Sequence, residues 1–296
     1  MTPYPVLQAR GFSDPPHHAR TPRIRLVASG PAPSAKPLVR VSLLDGMSLH
    51  VDGREVRLNS RKAKALIAYL PLTPRMTETR DRLVGLLWSE TEDAKARASL
   101  RQLLHSLRDA FDQEGLVGLS TDKTHVSLDG SVFLTDLGCA LASIDRGDPV
   151  DSLVTESCIT DSFLRGYDDI DPSFDSWLAI KRESVRQLLI RRLEAQLSNA
   201  SHRVEATKRI ARALIQMDPT HEIACQELMR ACVVAGNTAA ALAAYRKLWE
   251  CLQREHDIEP SMATQELVVT IKNGNYSPPI AGCDLPGAEA VAFLPR

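Results

Sequence analysis

The chain is poor in aromatic residues, at 5% of its 296 positions, while Ala, Leu and Arg recur throughout. That shortage argues against a β-sandwich, whose strands draw on aromatic and β-branched side chains, and favours helices packed on helices. No apolar run approaches the ~18 residues that span a bilayer, and the N-terminus lacks the continuous hydrophobic block of a secretory signal. Six cysteines, at 139, 158, 225, 232, 251 and 283, form no CxxC pair and have no His-x-x-x-His companion. Neither a zinc ribbon nor a zinc finger is supported, and no metal is expected. Cys225 and Cys232, on one expected helix, read as small buried hydrophobes in a reducing cytoplasm. A GxxxxGKS/T phosphate loop, GxSxG and HExxH are all missing, so catalysis has no visible carrier and no cofactor is implied.

What is present is an ordinary globular composition, 44% hydrophobic and 25% charged, long enough for two compact units plus tails. A formal net charge of −1 excludes bulk attraction to nucleic acid or to an acidic membrane. The charge is graded along the chain, however. Residues 1–37 sum to +4, residues 38–140 to 0 and residues 141–296 to −5, so any polyanion is met by the N-terminal half through a local patch.

Residues 1–37 are Pro-rich with scattered arginines and read as a disordered arm. From Val39, the runs VRVSLLDG, MSLHVDG and REVRL predict three short antiparallel strands, with Asp52-Gly53 as a tight hairpin turn. Helical spacing follows. A first helix, capped by Asn59 or Ser60, carries Ala63, Leu66, Ile67 and Leu70 inward until Pro71 and Pro74 end it. A second spans about Arg80 to Trp88 after a Thr77 or Thr79 cap, and a third spans about Asp93 to Phe111. LVGLSTDKTHVSLDG then reads as strand, turn and strand. This layout predicts a winged helix-turn-helix over 38–137. Beyond it, helices at 137–144, 174–197, 204–217, 221–234, 238–254 and 262–272 predict an all-α unit over 138–273. ACVVAGNTAAALAAYRKL there has tetratricopeptide-like spacing of small residues. A flexible tail is expected over 274–296. The fold class is therefore mainly α, with small antiparallel sheets confined to the winged half.

The sharpest feature is ARASLRQLLHSLRDAF, in which Arg97, Arg101, His105 and Arg108 recur at four, four and three, opposite the leucine stripe. In isolation such a line is the solvated face of an amphipathic helix. As the third helix of a winged unit it suits a DNA major groove, where long donors reach base edges and cations reach phosphates. Arg101, Gln102 and His105 are the candidate base readers. Arg97 and Arg108, with Arg61, Lys62 and Lys64 on the first helix, are the candidate phosphate contacts, and Lys123 and His125 lie on the wing. The acidic group Asp168, Asp169, Asp171 and Asp175 lacks the glycine and terminal Glu of a calcium loop and reads as a solvated loop with helix-capping carboxylates. Tyr245 and Trp249 read as core.

GREVRLNSRKAKALIAYL, RDRLVGLLW and ARASLRQLLHSLRDAF together resemble the OmpR-type winged helix of the Streptomyces antibiotic regulatory protein (SARP) family of bacterial activators. FDSWLAIKRESVRQLLIRRLEAQL and AALAAYRKLWECLQREHDIEPSM resemble that family's bacterial transcriptional activator domain. The resemblance covers roughly residues 38–273. It implies double-stranded DNA as partner at repeated promoter sites, recruitment of RNA polymerase by the helical half, and a cytoplasmic location. A homodimer on DNA is compatible with it, and no membrane partner is expected. There are departures: Lys123-Thr124-His125 stands where the family often has Gly-Tyr, and Asp109 sits at a commonly basic position.

Two other classes remain open at this point. The helical repeats also fit a protein-interaction scaffold without DNA binding, and the chain also reads as the front of a larger signalling protein, ending at a linker near Ser277.

Overall fold

The computed structural model describes residues 38–149, 151, 153, 162–200 and 203–277. The N-terminal arm, Cys158, Cys283 and most of the tail expected from the sequence lie outside the described residues.

The chain opens with β1 (Val39–Ser42), β2 (Ser48–Val51) and β3 (Arg54–Glu55). Val39, Val41, Leu49 and Val51 point inward while Arg40 is exposed, the period-two alternation of a half-buried sheet. Asp52 and Gly53 both adopt positive φ, 49° and 82°, which is the tight turn that the Asp-Gly pair favours. After the wing, β7 (Phe133–Thr135) returns to lie parallel to β1, giving the order β3-β2-β1-β7. The sequence reading has no strand there. Three residues carry little local signal, and their pairing depends on a partner more than 90 residues earlier.

Three helices follow the first sheet. α1 (Arg61–Tyr69) begins at Ser60, whose Oγ accepts the Ala63 N–H at 3.3 Å, and α2 (Arg80–Leu87) begins at Thr79, whose Oγ1 accepts the Arg82 N–H at 3.2 Å. Between them, Pro71 and Pro74 sit in two short 3-10 turns, and β4 (Thr77–Thr79) joins the wing. α3 (Asp93–Gln113) is the longest helix of this half. The wing strands β5 (Leu119–Thr121) and β6 (His125–Leu128) form a three-stranded antiparallel sheet with β4, in the order β4-β6-β5. The wing thus has a third strand beyond the expected hairpin.

The remaining described helices are α4 (Asp136–Asp145), α5 (Pro172–Asn199), α6 (Val204–Met217), α7 (Glu222–Val234), α8 (Thr238–His256) and α9 (Met262–Lys272). α5 packs on α6, α6 on α7 and α7 on α8, an arrangement in which each helix buries its apolar stripe against its neighbours in sequence. Glu222, at the start of α7, accepts hydrogen bonds from Ser261 N (2.9 Å), Ser261 Oγ (2.6 Å) and Thr264 Oγ1 (2.6 Å), tying down the first turn of α9. Tyr245 and Trp249 are half-buried and meet edge to face at 5.9 Å. Among the described residues no helix is long and apolar enough to cross a membrane.

The winged half and the helical half share a polar and aromatic seam. Tyr69 at the end of α1 meets Trp177 of α5 at 4.9 Å with the rings tilted by 59°, and Trp177 in turn meets Phe174 at 5.1 Å. Lys181 Nζ donates to the Leu72 carbonyl at 3.2 Å. Leu164 N donates to Leu43 O at 2.8 Å, and Gly46 N to Ser162 O at 3.0 Å, so the first sheet is also gripped by backbone bonds.

Candidate nucleic-acid interface

α3 is amphipathic in the way its sequence requires. Ala96, Leu100, Leu103, Leu104, Leu107 and Phe111 are buried, with Phe111 stacked on Phe133 at 6.2 Å. Arg97, Arg101, Gln102, His105 and Arg108 are all exposed on the other side. At ~25 cal/mol per Å² of apolar surface removed from water, each fully buried leucine is worth about 2 kcal/mol. The stripe therefore fixes the rotation of the helix and holds the polar line outward.

The outward residues differ in how committed they are. Among the described residues the side chains of Arg101 and Gln102 have no hydrogen-bond or ion-pair partner. Arg97 Nη2 lies 3.4 Å from Asp81 Oδ1 on α2, and His105 Nδ1 lies 3.5 Å from Asp109 Oδ1 one turn on. Arg108 Nη2 donates to the Thr121 carbonyl of β5 at 3.2 Å, tying the outward face of α3 to the wing.

The wing turn is organised by Asp122. Its carboxylate accepts from Thr124 N (2.6 Å), His125 N (2.7 Å) and Thr124 Oγ1 (2.9 Å). These bonds hold its pKa down at about 2. Lys123 and His125 stand exposed at this tip. Asp122, an unhelpful charge for a wing meeting a polyanion, is what gives the turn its shape.

The α1 cations sit elsewhere. Arg61 Nη2 donates to the carbonyls of Gly166 (2.8 Å) and Asp168 (3.0 Å), across the seam. Lys62 Nζ donates to the Leu87 carbonyl and lies 4.8 Å above the Trp88 ring, and burial lowers its pKa against the opposing pull of Asp171. Lys64 is half-exposed. The structure leaves Arg97, Arg101, Gln102, His105 and Arg108 exposed on α3, with Arg108 bonded to the wing, and it sets Arg61 against carbonyls of the helical half and Lys62 against the end of α2. Helical spacing cannot reveal which neighbour covers a cation.

The acidic loop is also more than a solvated one. Asp171 is 8% exposed, caps α5 by accepting from Ser173 N (3.1 Å), and accepts from Ser89 across the seam. Asp168 pairs with Arg182 at 2.7 Å, which lowers its pKa. Asp175 accepts from Ile170 N at 3.4 Å. Among the described residues no cluster of His, Cys, Asp and Glu could hold a metal ion. The sequence reading starts α5 at 174, two residues late, and gives no sign of Ser89 as the partner of Asp171.

Residues 162–272 match the family described as the bacterial transcriptional activator domain. Transcriptional regulatory protein MoaR1 of Mycobacterium bovis is 21% identical over 248 residues, covering 77% of this chain and 78% of that protein, and MoaR1 of Mycobacterium tuberculosis matches to the same extent. Among solved structures, Mycobacterium tuberculosis EmbR in complex with a low affinity phosphopeptide matches with a TM-score of 0.56 at 21% identity. That match covers 82% of this chain and 67% of EmbR, and it establishes a shared fold of winged helix followed by helical domain.

Proposed function

We propose that the chain is a transcriptional regulator of the SARP type, with a bacterial transcriptional activator domain behind a winged helix, and that it binds duplex DNA in a sequence-specific manner through α3 and activates transcription. The observation that carries this reading is the exposure of Arg101, Gln102 and His105 on one face of α3, with the wing beside it. In this reading α3 enters the major groove, and Arg101, Gln102 and His105 meet base edges. Arg97 and Arg108 meet the phosphates on either side, with Lys64 as a peripheral cation and Lys123 and His125 near the adjacent backbone or minor groove. The DNA-contacting unit occupies 38–137 and the effector unit 138–273. RNA polymerase is the partner of the helical half, the protein acts in the cytoplasm, and no catalytic step is involved.

The experiment is a footprint that defines the site, followed by binding titrations across salt concentrations with wild type, Arg101→Ala and Arg108→Ala. Each neutralised phosphate contributes about −0.9 to the slope of log affinity against log salt. Arg101→Ala should relax preference at one base pair by about 1–3 kcal/mol, whereas Arg108→Ala should weaken all sequences alike. A protein with neither site preference nor a salt slope is no DNA-binding regulator, and an unchanged preference in Arg101→Ala removes that residue from base reading.

A further inference from the structure

The helical half contains a cavity of about 160 Å³ between α6 and α8, floored by α7. Ile215 and Pro219 from α6 and its end, Cys225 and Leu228 from α7, and Ala244 and Leu248 from α8 make its walls apolar. Its rim carries Arg212, Gln216 and Lys247, and no acidic residue lines it. Among the described residues neither Arg212 nor Lys247 has an ion-pair partner, although this half of the chain is the acidic one. The Cys225 thiol, pushed up to about 12 chiefly by burial and then by the nearby Glu222, stays neutral and adds no negative charge to the floor.

Size decides what fits. Sites for drug-sized molecules run to about 300–1,000 Å³, whereas a cavity of about 150 Å³ holds a single benzene ring. Charge decides what surrounds it, because two unpaired cations on a wet rim attract carboxylates.

We propose that the groove between α6 and α8 is a docking site for an acidic peptide segment of a partner protein, which inserts one branched or aromatic side chain between Cys225, Leu228 and Leu248 and sets its flanking carboxylates against Arg212 and Lys247. This is a second binding function, independent of duplex binding by α3. Stacked helical pairs use such grooves because the backbone of a docked segment runs along them while alternate side chains probe the pockets.

The test uses the full chain and a fluorescein-labelled pool of twelve-residue peptides, each carrying Asp or Glu at six positions around one central Leu, Ile, Met or Phe. Anisotropy titrations should give saturable binding. The same pool with Ala at the central position should bind at least about tenfold more weakly, since a buried Leu or Phe is worth about 1.5–3 kcal/mol. Arg212→Glu with Lys247→Glu, both at the solvent edge, should weaken the anchored pool by about tenfold, and Ala244→Phe should abolish binding by filling the cavity. All variants should keep the wild-type far-UV circular dichroism and DNA affinity. Equal binding of the anchored and Ala pools, wild-type affinity in both variants, or no saturable binding at all would each overturn the proposal. So would displacement of the fluorescent pool from a site that the Ala244→Phe variant leaves intact.

Discussion

Ser89 and Asp171, 82 residues apart in sequence, meet through two hydrogen bonds, from Ser89 N at 3.0 Å and from Ser89 Oγ at 2.5 Å. The serine lies between α2 and α3, next to the helix that faces solvent with its arginines, and the aspartate caps α5 of the helical half. One carboxylate therefore starts a helix in one half and fixes the loop that launches α3 in the other.

Ser89→Ala removes the hydroxyl donor and leaves a carboxylate at 8% exposure with fewer partners. An under-satisfied buried acceptor costs about 1–3 kcal/mol, so urea unfolding should show a lower midpoint with an unchanged m-value. A wild-type midpoint would mean that water replaces the hydroxyl, and the seam would then owe little to this pair.

Asp81 and Arg97 bear on duplex binding in the opposite sense. Their ion pair at 3.4 Å is exposed, with side-chain accessibilities of 83% and 57%, so it contributes at most about 1 kcal/mol to stability. It does hold an anion beside a cation meant for phosphate. Asp81→Asn should leave the unfolding midpoint nearly unchanged and raise DNA affinity severalfold at low salt. Unaltered affinity would place Arg97 away from the duplex.

The elements that were legible in the sequence are those with a local cause. Ser60 and Thr79 mark helix starts, Asp52-Gly53 marks a turn, and the leucines of α3 declare its inner face and therefore its outer one. β4 and β7 were not legible, because three-residue strands become strands only by pairing with β6 and β1. The same reason separates Arg101 from Arg61. The first is placed by the periodicity of its own helix, whereas the second is drawn away by carbonyls at Gly166 and Asp168 that no spacing rule connects to α1.

Asp136 gives a test in pH. Its carboxylate accepts from Leu43 N (2.9 Å), Leu44 N (3.0 Å) and Leu137 N (2.7 Å), yet burial prevails over these bonds and raises its pKa. A folded-state pKa above the unfolded one contributes stability that is full below the unfolded value and is lost as pH rises through the folded value. Asp136→Asn should be less stable than wild type in acid, because an amide N–H would oppose a backbone N–H. The gap should narrow as pH rises from about 4, near the reference carboxylate pKa, toward neutrality. Unfolding titrations at both ends check this, and a gap that widens with pH would mean that the three N–H bonds outweigh burial.

Arg61 offers the cleanest separation between the sequence expectation and the structure. As a phosphate contact it would contribute about 0.9 to the steepness of the salt dependence, and Arg61→Ala would flatten the slope by that amount. As a seam residue, bonded to two carbonyls at 2.8 and 3.0 Å, it should instead contribute to folding. Hydrogen bonds from a charged donor are worth about 1.5–3 kcal/mol when sheltered and less here, where the bonds are solvent-exposed. The expected outcome for Arg61→Ala is a modest fall in unfolding midpoint, with a salt slope indistinguishable from wild type. Arg108→Ala in the same titration should differ in its slope, which flattens, while its midpoint falls by less than that of Arg61→Ala because one exposed bond is lost rather than two. A flattened slope in Arg61→Ala would mean that the guanidinium leaves Gly166 and Asp168 when DNA arrives, and the seam between the halves would then loosen on binding.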